Sequence, residues 1–289
     1  SDAEKTRLKA INAQISSLTT RFKQNVLKAT SDGAVVVDSA AELAGLAAEQ
    51  IGAAAEAAAA RGLSGKWLIT LQNTTSQPLL AQLVNRPLRE RLFKASTARC
   101  RGGVADNTQI VQQLVVLRAQ RAALLGFSNH AAYQLEDESA GNPDAVRRIL
   151  AQLVPAALAR AREDARDLQQ LVVAQARAEG FEPFELAAWD WPFYAERLRK
   201  ARFDFDRAQV APYFELNRVL QDGVFYSAHE LYGLTFKERP ELPVYHPDVR
   251  IFEVFDMDGA PLALFLADFF ARDSKQGGAW MSNFVRQAG

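Results

Sequence analysis

Apolar residues in this 289-residue chain fall at three- and four-residue steps through most of its length, and that period dictates helix. Leu8, Ile11, Ile15, Leu18, Phe22 and Val26 lie on one stripe, as in a long amphipathic helix. Ser39 and Glu42 stand at capping-box spacing ahead of an Ala-rich stretch that ends near Gly62, which predicts a second helix between them. Residues 66–71, KWLITL, are the one strand-like segment of the first half. After Gln77 and Pro78 the helical pattern resumes through Leu80, Leu83, Leu88, Leu92 and Phe93. Asp106 or Asn107 can cap a helix carrying Ile110, Leu114, Leu117 and Leu124, with Gly126 as its stop. Asn142 and Pro143 supply a cap and a first-turn proline for a helix running to Glu179 and closing at Gly180. Pro155 falls inside that pattern and should kink or split it. Pro183, Pro192 and Pro212 punctuate shorter helices as far as Tyr232.

From Leu234 the texture changes. Pro240, Pro243 and Pro247 mark irregular chain, and residues 249–255 and 262–268 then read as an antiparallel hairpin around Asp256, Met257, Asp258 and Gly259. No period of 30–50 residues recurs, so a helical solenoid is disfavoured. The expected fold is mainly α with a small antiparallel β element near the C-terminal end. A soft break separates a helical lobe, 1–185, from helices and a hairpin, 186–289.

Charge excludes some partners. Lys+Arg and Asp+Glu number 34 each, so no global field draws nucleic acid or anionic lipid. The best candidate for a membrane span, residues 51–60, is short, Ala-rich and carries Glu56. No basic stretch followed by an apolar core opens the chain, so no secretory signal is expected within it. A single Cys100 forbids an intrachain disulfide and fits a reducing cytoplasm.

Each chemical motif has to compete with a structural reading of the same residues. Zinc peptidases hold their metal with His-Glu-x-x-His, because that spacing puts two imidazoles on one helix face. The one His-Glu pair is His229-Glu230, and Gly233 occupies the place of the second histidine, which reads as a helix end. His130 and His246 are far away in sequence, so no catalytic or metal residue is assigned. Asp256, Asp258 and Gly259 look like the start of a calcium loop, but Ala267 stands where the twelfth-position glutamate belongs; an acidic hairpin turn is the better reading. Arg99 and Arg101 flank Cys100 and would lower a thiol pKa, yet no histidine is placed near it. Aromatics gather over residues 181–236, including Trp189, Trp191, Phe203, Phe205, Tyr213, Phe214, Phe225 and Tyr226. Basic residues are not enriched around them, so they are expected to pack a helical core, with Asp190 capping the next helix.

Several segments, read in order, resemble the thimet oligopeptidase and bacterial peptidyl-dipeptidase family of zinc metallopeptidases. They are WLITLQNTTSQPLL (67–80), RPLRERLFKAS (86–96), LRAQRAALLGF (117–127), WDW (189–191), PYFEL (212–216), VYHPDVR (244–250) and the stretch 264–281 ending SKQGGAWM. The bacterial peptidyl-dipeptidase branch is the more similar. The resemblance implies a helical, zincin-type molecule enclosing a channel with zinc at its floor, and short peptides as substrates. It places the family's His-Glu-x-x-His helix beyond Gly289 and more helix ahead of Ser1. The chain is therefore expected to be a central piece that binds no zinc, turns over no peptide alone and self-associates through exposed core surface. Gly277, Gly278 and Ala279 are similar in order to the edge segment that pairs with substrate backbone in such peptidases, and glycines permit that close approach. A non-catalytic helical peptide- or protein-binding module on the same scaffold is the competing reading; a stop codon directly after Gly289 in the gene would favour it.

Overall fold

A computed structural model describes residues 1–72, 75–203 and 207–275. The chain divides into one compact unit, Ser1–Leu198 joined by Asp273, and a second, Arg199–Arg272. Each is described by itself.

The first unit opens with α1 (Asp2–Asp32), followed by β1 (Val35–Val37). Ser39 does act as a cap, its hydroxyl accepting Ala41 N–H at 3.3 Å, but it opens a single 3-10 turn, Ala40–Leu43, and not the predicted helix. Gly45 then takes φ +97°, and a Cβ there would sit 2.2 Å from the Gln82 carbonyl oxygen, so the chain must turn away at that point. Helix α2 (Ala48–Ala59) begins later, where the Gln50 side chain accepts Ala47 N–H at 2.9 Å. Strand β2 (Trp67–Ile69) pairs antiparallel with β1, Val36 opposite Leu68. The three valines of β1 are a second strand of the first half, too short to show alternation in the sequence.

Helices α3 (Ser76–Leu80) and α4 (Arg86–Thr97) follow, with Asn85 Oδ1 accepting Leu88 N–H at 2.9 Å. Leu79, Leu83, Leu88 and Leu92 close over Val37, Leu43, Ile69 and Leu71 to form one core. Each such side chain taken fully out of water contributes about 1.5–3 kcal/mol. In α5 (Thr108–Leu124), Asp106 accepts Thr108 N–H at 2.8 Å. Asn107 turns instead toward α1, accepting from Asn25 Nδ2 at 2.8 Å and donating to the Phe22 carbonyl at 3.2 Å. Helix α6 (His130–Leu135) leads to α7 (Pro143–Glu179), capped by Asn142 and ended by Gly180 in the left-handed region, as the sequence predicts. Pro155 does not split α7: it lies on an exposed stretch, where water can satisfy the carbonyl left without a donor.

Along α7 the apolar face changes character. Leu168, Val172 and Ala176 are buried, the first two against Phe193 and Tyr194 of α8 (Trp191–Phe203). Toward the other end Leu150, Leu153, Val154 and Leu158 continue an apolar stripe but stand exposed, Leu153 at 60%.

The second unit carries short helices α9 (Arg207–Val210) and α10 (Leu216–Arg218), a π-helical turn at Val219–Phe225, and α11 (Tyr226–Tyr232). Strands β3 (Thr235–Glu238), β4 (Arg250–Phe255) and β5 (Pro261–Ala267) form one antiparallel sheet in that order. The β4–β5 hairpin is the predicted one; β3 is an addition, hidden in the sequence by the prolines that follow it. Phe225 stacks on Phe236 with centroids 4.0 Å apart and meets Phe252 edge-on, which seals this smaller core. Phe203, Tyr213, Phe214 and Tyr226 are exposed, so the aromatic-rich region is only partly core, contrary to expectation; Phe205 lies outside the described residues.

Asp190 also differs from its expected role. Its carboxylate does not cap α8 but turns back to accept Ala187 N–H at 3.1 Å and to meet two arginines of α4. Arg86 reaches it at 2.9 Å and Arg89 at 2.8 Å, with Asp190 fully buried. Replacing Asp190 with Ala should therefore cost about 3–5 kcal/mol in urea unfolding, because Arg89 is left as a buried, uncompensated cation. A loss below 1 kcal/mol would show that the cluster contributes little.

Candidate functional site

The three histidines occupy unrelated places. His229 lies in α11 with Nδ1 3.3 Å from the Leu234 carbonyl oxygen, and Gly233 caps that helix at φ +71°. In the loop before β4, Asp248 N–H donates to His246 Nδ1 at 3.3 Å. His130 begins α6, where Tyr133 is its ring neighbour. Among the described residues no three of His, Cys, Asp and Glu gather as a zinc site would require. Nor, among them, is any helix long and apolar enough to cross a membrane.

Other candidates resolve into structure. In the β4–β5 turn Asp256 accepts Met257 N–H at 2.7 Å and Asp258 accepts Ala260 N–H at 2.9 Å, while Gly259 takes φ +80°; the carboxylates are used on backbone. Burial pushes the Cys100 thiol above its usual pKa, outweighing Arg99, so it is not an activated nucleophile.

What remains is the hairpin and the chain leaving it. Among the described residues strand β5 is terminal in its sheet, and Leu262, Leu264 and Leu266 along it are exposed. An apolar strand at the edge of a sheet can accept another extended segment through main-chain hydrogen bonds. Past Ala267, Asp268 and Arg272 form a two-bonded ion pair at 2.7 and 2.9 Å, and Tyr245 donates its hydroxyl to Asp268 at 3.0 Å. Asp273 then accepts hydrogen bonds from Ser31, Arg61 and Gln72. Sequence reading gave no sign of these fastenings, because the partners of Asp273 lie 201–242 residues earlier. Gly277, Gly278 and Ala279, the predicted substrate-binding residues, lie outside the described residues.

The family model described as Peptidase family M3 matches residues 79–288. The chain belongs to peptidase family M3. Dipeptidyl carboxypeptidase of Escherichia coli is 48% identical over 287 residues, covering 99% of this chain and 41% of that protein. Oligopeptidase A of the same organism is 34% identical, covering 96% of this chain and 40% of the relative. An organellar oligopeptidase A of Arabidopsis thaliana is 32% identical over 99% of this chain and 37% of its own length. The M3 chain thus spans about two fifths of these curated relatives, and the resemblance read from its segments holds at family level.

One titration is set by the fold of the M3 chain. Burial first, then the positive charges of Arg118 and Arg121, holds the His130 imidazole below its ordinary value of 6.5. The unfolded chain therefore takes up this proton before the folded one, and stability falls as pH drops through about 6.5 toward the lower folded value. His130→Gln should remove this component from a comparison of urea midpoints at pH 7.5 and 5.5. An unchanged pH slope would contradict the assignment.

Proposed function

We propose that this chain is the central part of an M3 zinc peptidase, a peptidyl-dipeptidase or oligopeptidase that hydrolyses short peptides in the cytoplasm, and that alone it turns over no peptide. The observation that carries the reading is a conjunction. Identity to a dipeptidyl carboxypeptidase is 48% along nearly the whole chain, while the sequence holds three histidines and no His-Glu-x-x-His. Likeness to the peptidase, together with the lack of that motif within these 289 residues, supports the reading. Zinc would then be held by other parts of the complete protein. Greater identity to the dipeptidyl carboxypeptidase than to oligopeptidase A favours the first of the two activities.

Within this reading, Gly277, Gly278 and Ala279 bind the backbone of the peptide by strand addition. Two adjacent glycines remove the side chains that would hold another backbone away, which supports that role. The exposed stripe of α7 and the apolar edge of β5 support a further part of the reading: in isolation the chain self-associates.

A blocked tripeptide incubated with this chain and added zinc should show no hydrolysis, and sedimentation of the same sample should show species larger than a 31.9 kDa monomer. Zinc-dependent cleavage abolished by a chelator would refute the inactivity. A clean monomer at micromolar concentration would refute the self-association.

A further inference from the structure

Which main-chain groups a sheet presents at its edge follows from the pairing inside it. In an antiparallel strand the N–H and C=O of one residue face the same side, and the side alternates from residue to residue. The Ile251 carbonyl of β4 accepts Arg239 N–H at 2.8 Å, so Ile251, and Glu253 two residues on, are directed at β3. Their partners across the hairpin are Leu266 and Leu264. Those two leucines therefore turn their main-chain groups away from β4, toward the outer side of β5.

Lys, Glu and Pro commonly blunt an exposed edge against other chains. From Leu262 to Ala267, β5 has none of them. Leu262, Leu264 and Leu266 stand exposed on one face. Ala263 and Phe265 alternate onto the other, where the Phe265 ring lies 6.1 Å from that of Phe252. The strand has seven residues, Pro261–Ala267, so Leu264 is its midpoint. Turned about a two-fold axis at Leu264, a second copy overlaps it along its full length. Leu264 then faces the copy's Leu264, Leu262 faces Leu266, and the small Ala263 faces the large Phe265. The outward N–H and C=O groups of the two central leucines meet donor to acceptor. Charge permits this approach. Glu253, beside Leu264, is neutralised by an ion pair with Arg239. Three strand spacings, about 14 Å, separate it from its counterpart, beyond the Debye length of about 8 Å at physiological salt.

We propose that β5 is the surface through which this chain self-associates, pairing antiparallel with β5 of a second copy about Leu264. The proposal rests on the self-association reading given above and assigns it to this strand in place of the α7 stripe. The two three-stranded sheets become one continuous sheet. Strands of this length make an interface at the low end of the size range, so the pairing reverses on dilution.

Hydrogen exchange of the Leu264 and Leu266 amides reads the pairing directly. It should be at least about tenfold slower in concentrated than in dilute samples of this chain. Leu264→Lys should raise the dimer dissociation constant about tenfold, because like charges then face each other on the axis, while Leu153→Lys on α7 should change it less than about twofold. Exchange that is fast at every concentration overturns the proposal. So does exchange equally slow at every dilution, which would mean that one chain covers its own edge. Slowing that appears only when a blocked tripeptide is added would give the edge to peptide and also overturn it. Dimers lost with Leu153→Lys and kept with Leu264→Lys would leave the self-association reading standing and sink this proposal alone. If the chain sediments as a monomer at every concentration, that reading has failed and the proposal with it.

Discussion

The first unit is organised around a negative charge that water cannot reach. Asp190 is fully buried, and removing a carboxylate from water costs several kcal/mol unless opposite charge and hydrogen bonds replace the lost hydration. Arg86 and Arg89, three residues apart on α4, provide both, and the Ala187 N–H adds a further donor. Arg89 meanwhile donates to the carbonyls of Leu83 and Val84, tying down the turn between α3 and α4. The guanidinium of Arg86 lies over Phe184 at 4.1 Å and that of Arg89 over Phe193 at 4.2 Å. The aromatic residues around α8 are thus ordered by cations as much as by each other. Take the carboxylate away and α4, the α3–α4 turn and the start of α8 lose their common reference point.

The sequence revealed those parts of the fold that depend on neighbours along the chain. Asn142, Pro143 and Gly180 bound α7 because capping is settled within a few residues, and the Asp256–Gly259 turn shows itself for the same reason. Where structure is settled across distance, local patterns point elsewhere. Ser39 looked like the start of a long helix because its cap is local, while the close approach of Gly45 to Gln82 that stops the helix is not. Asp190 stands where a cap for the next helix is expected, whereas its arginines lie 101 and 104 residues back. The three valines of β1 are a strand only because β2 lies beside them.

The same division applies to function. Family membership was legible because short segments in a fixed order carry it, and the match to peptidase family M3 covers most of the chain. Catalytic chemistry is not legible in the same way: a zinc site needs two imidazoles on one helix face, and in this sequence Gly233 stands where the partner of His229 would be. The fastening of the chain at Asp273 is also long-range, and only the folded arrangement brings its partners to one carboxylate.

Zinc titration by calorimetry, followed by metal analysis after dialysis, tests most directly the claim that this scaffold lacks a grip on metal. The account predicts only weak uptake, well short of one equivalent once dialysed. One tightly held zinc per chain, surviving dialysis and lost on substitution of His130, His229 or His246, would contradict it.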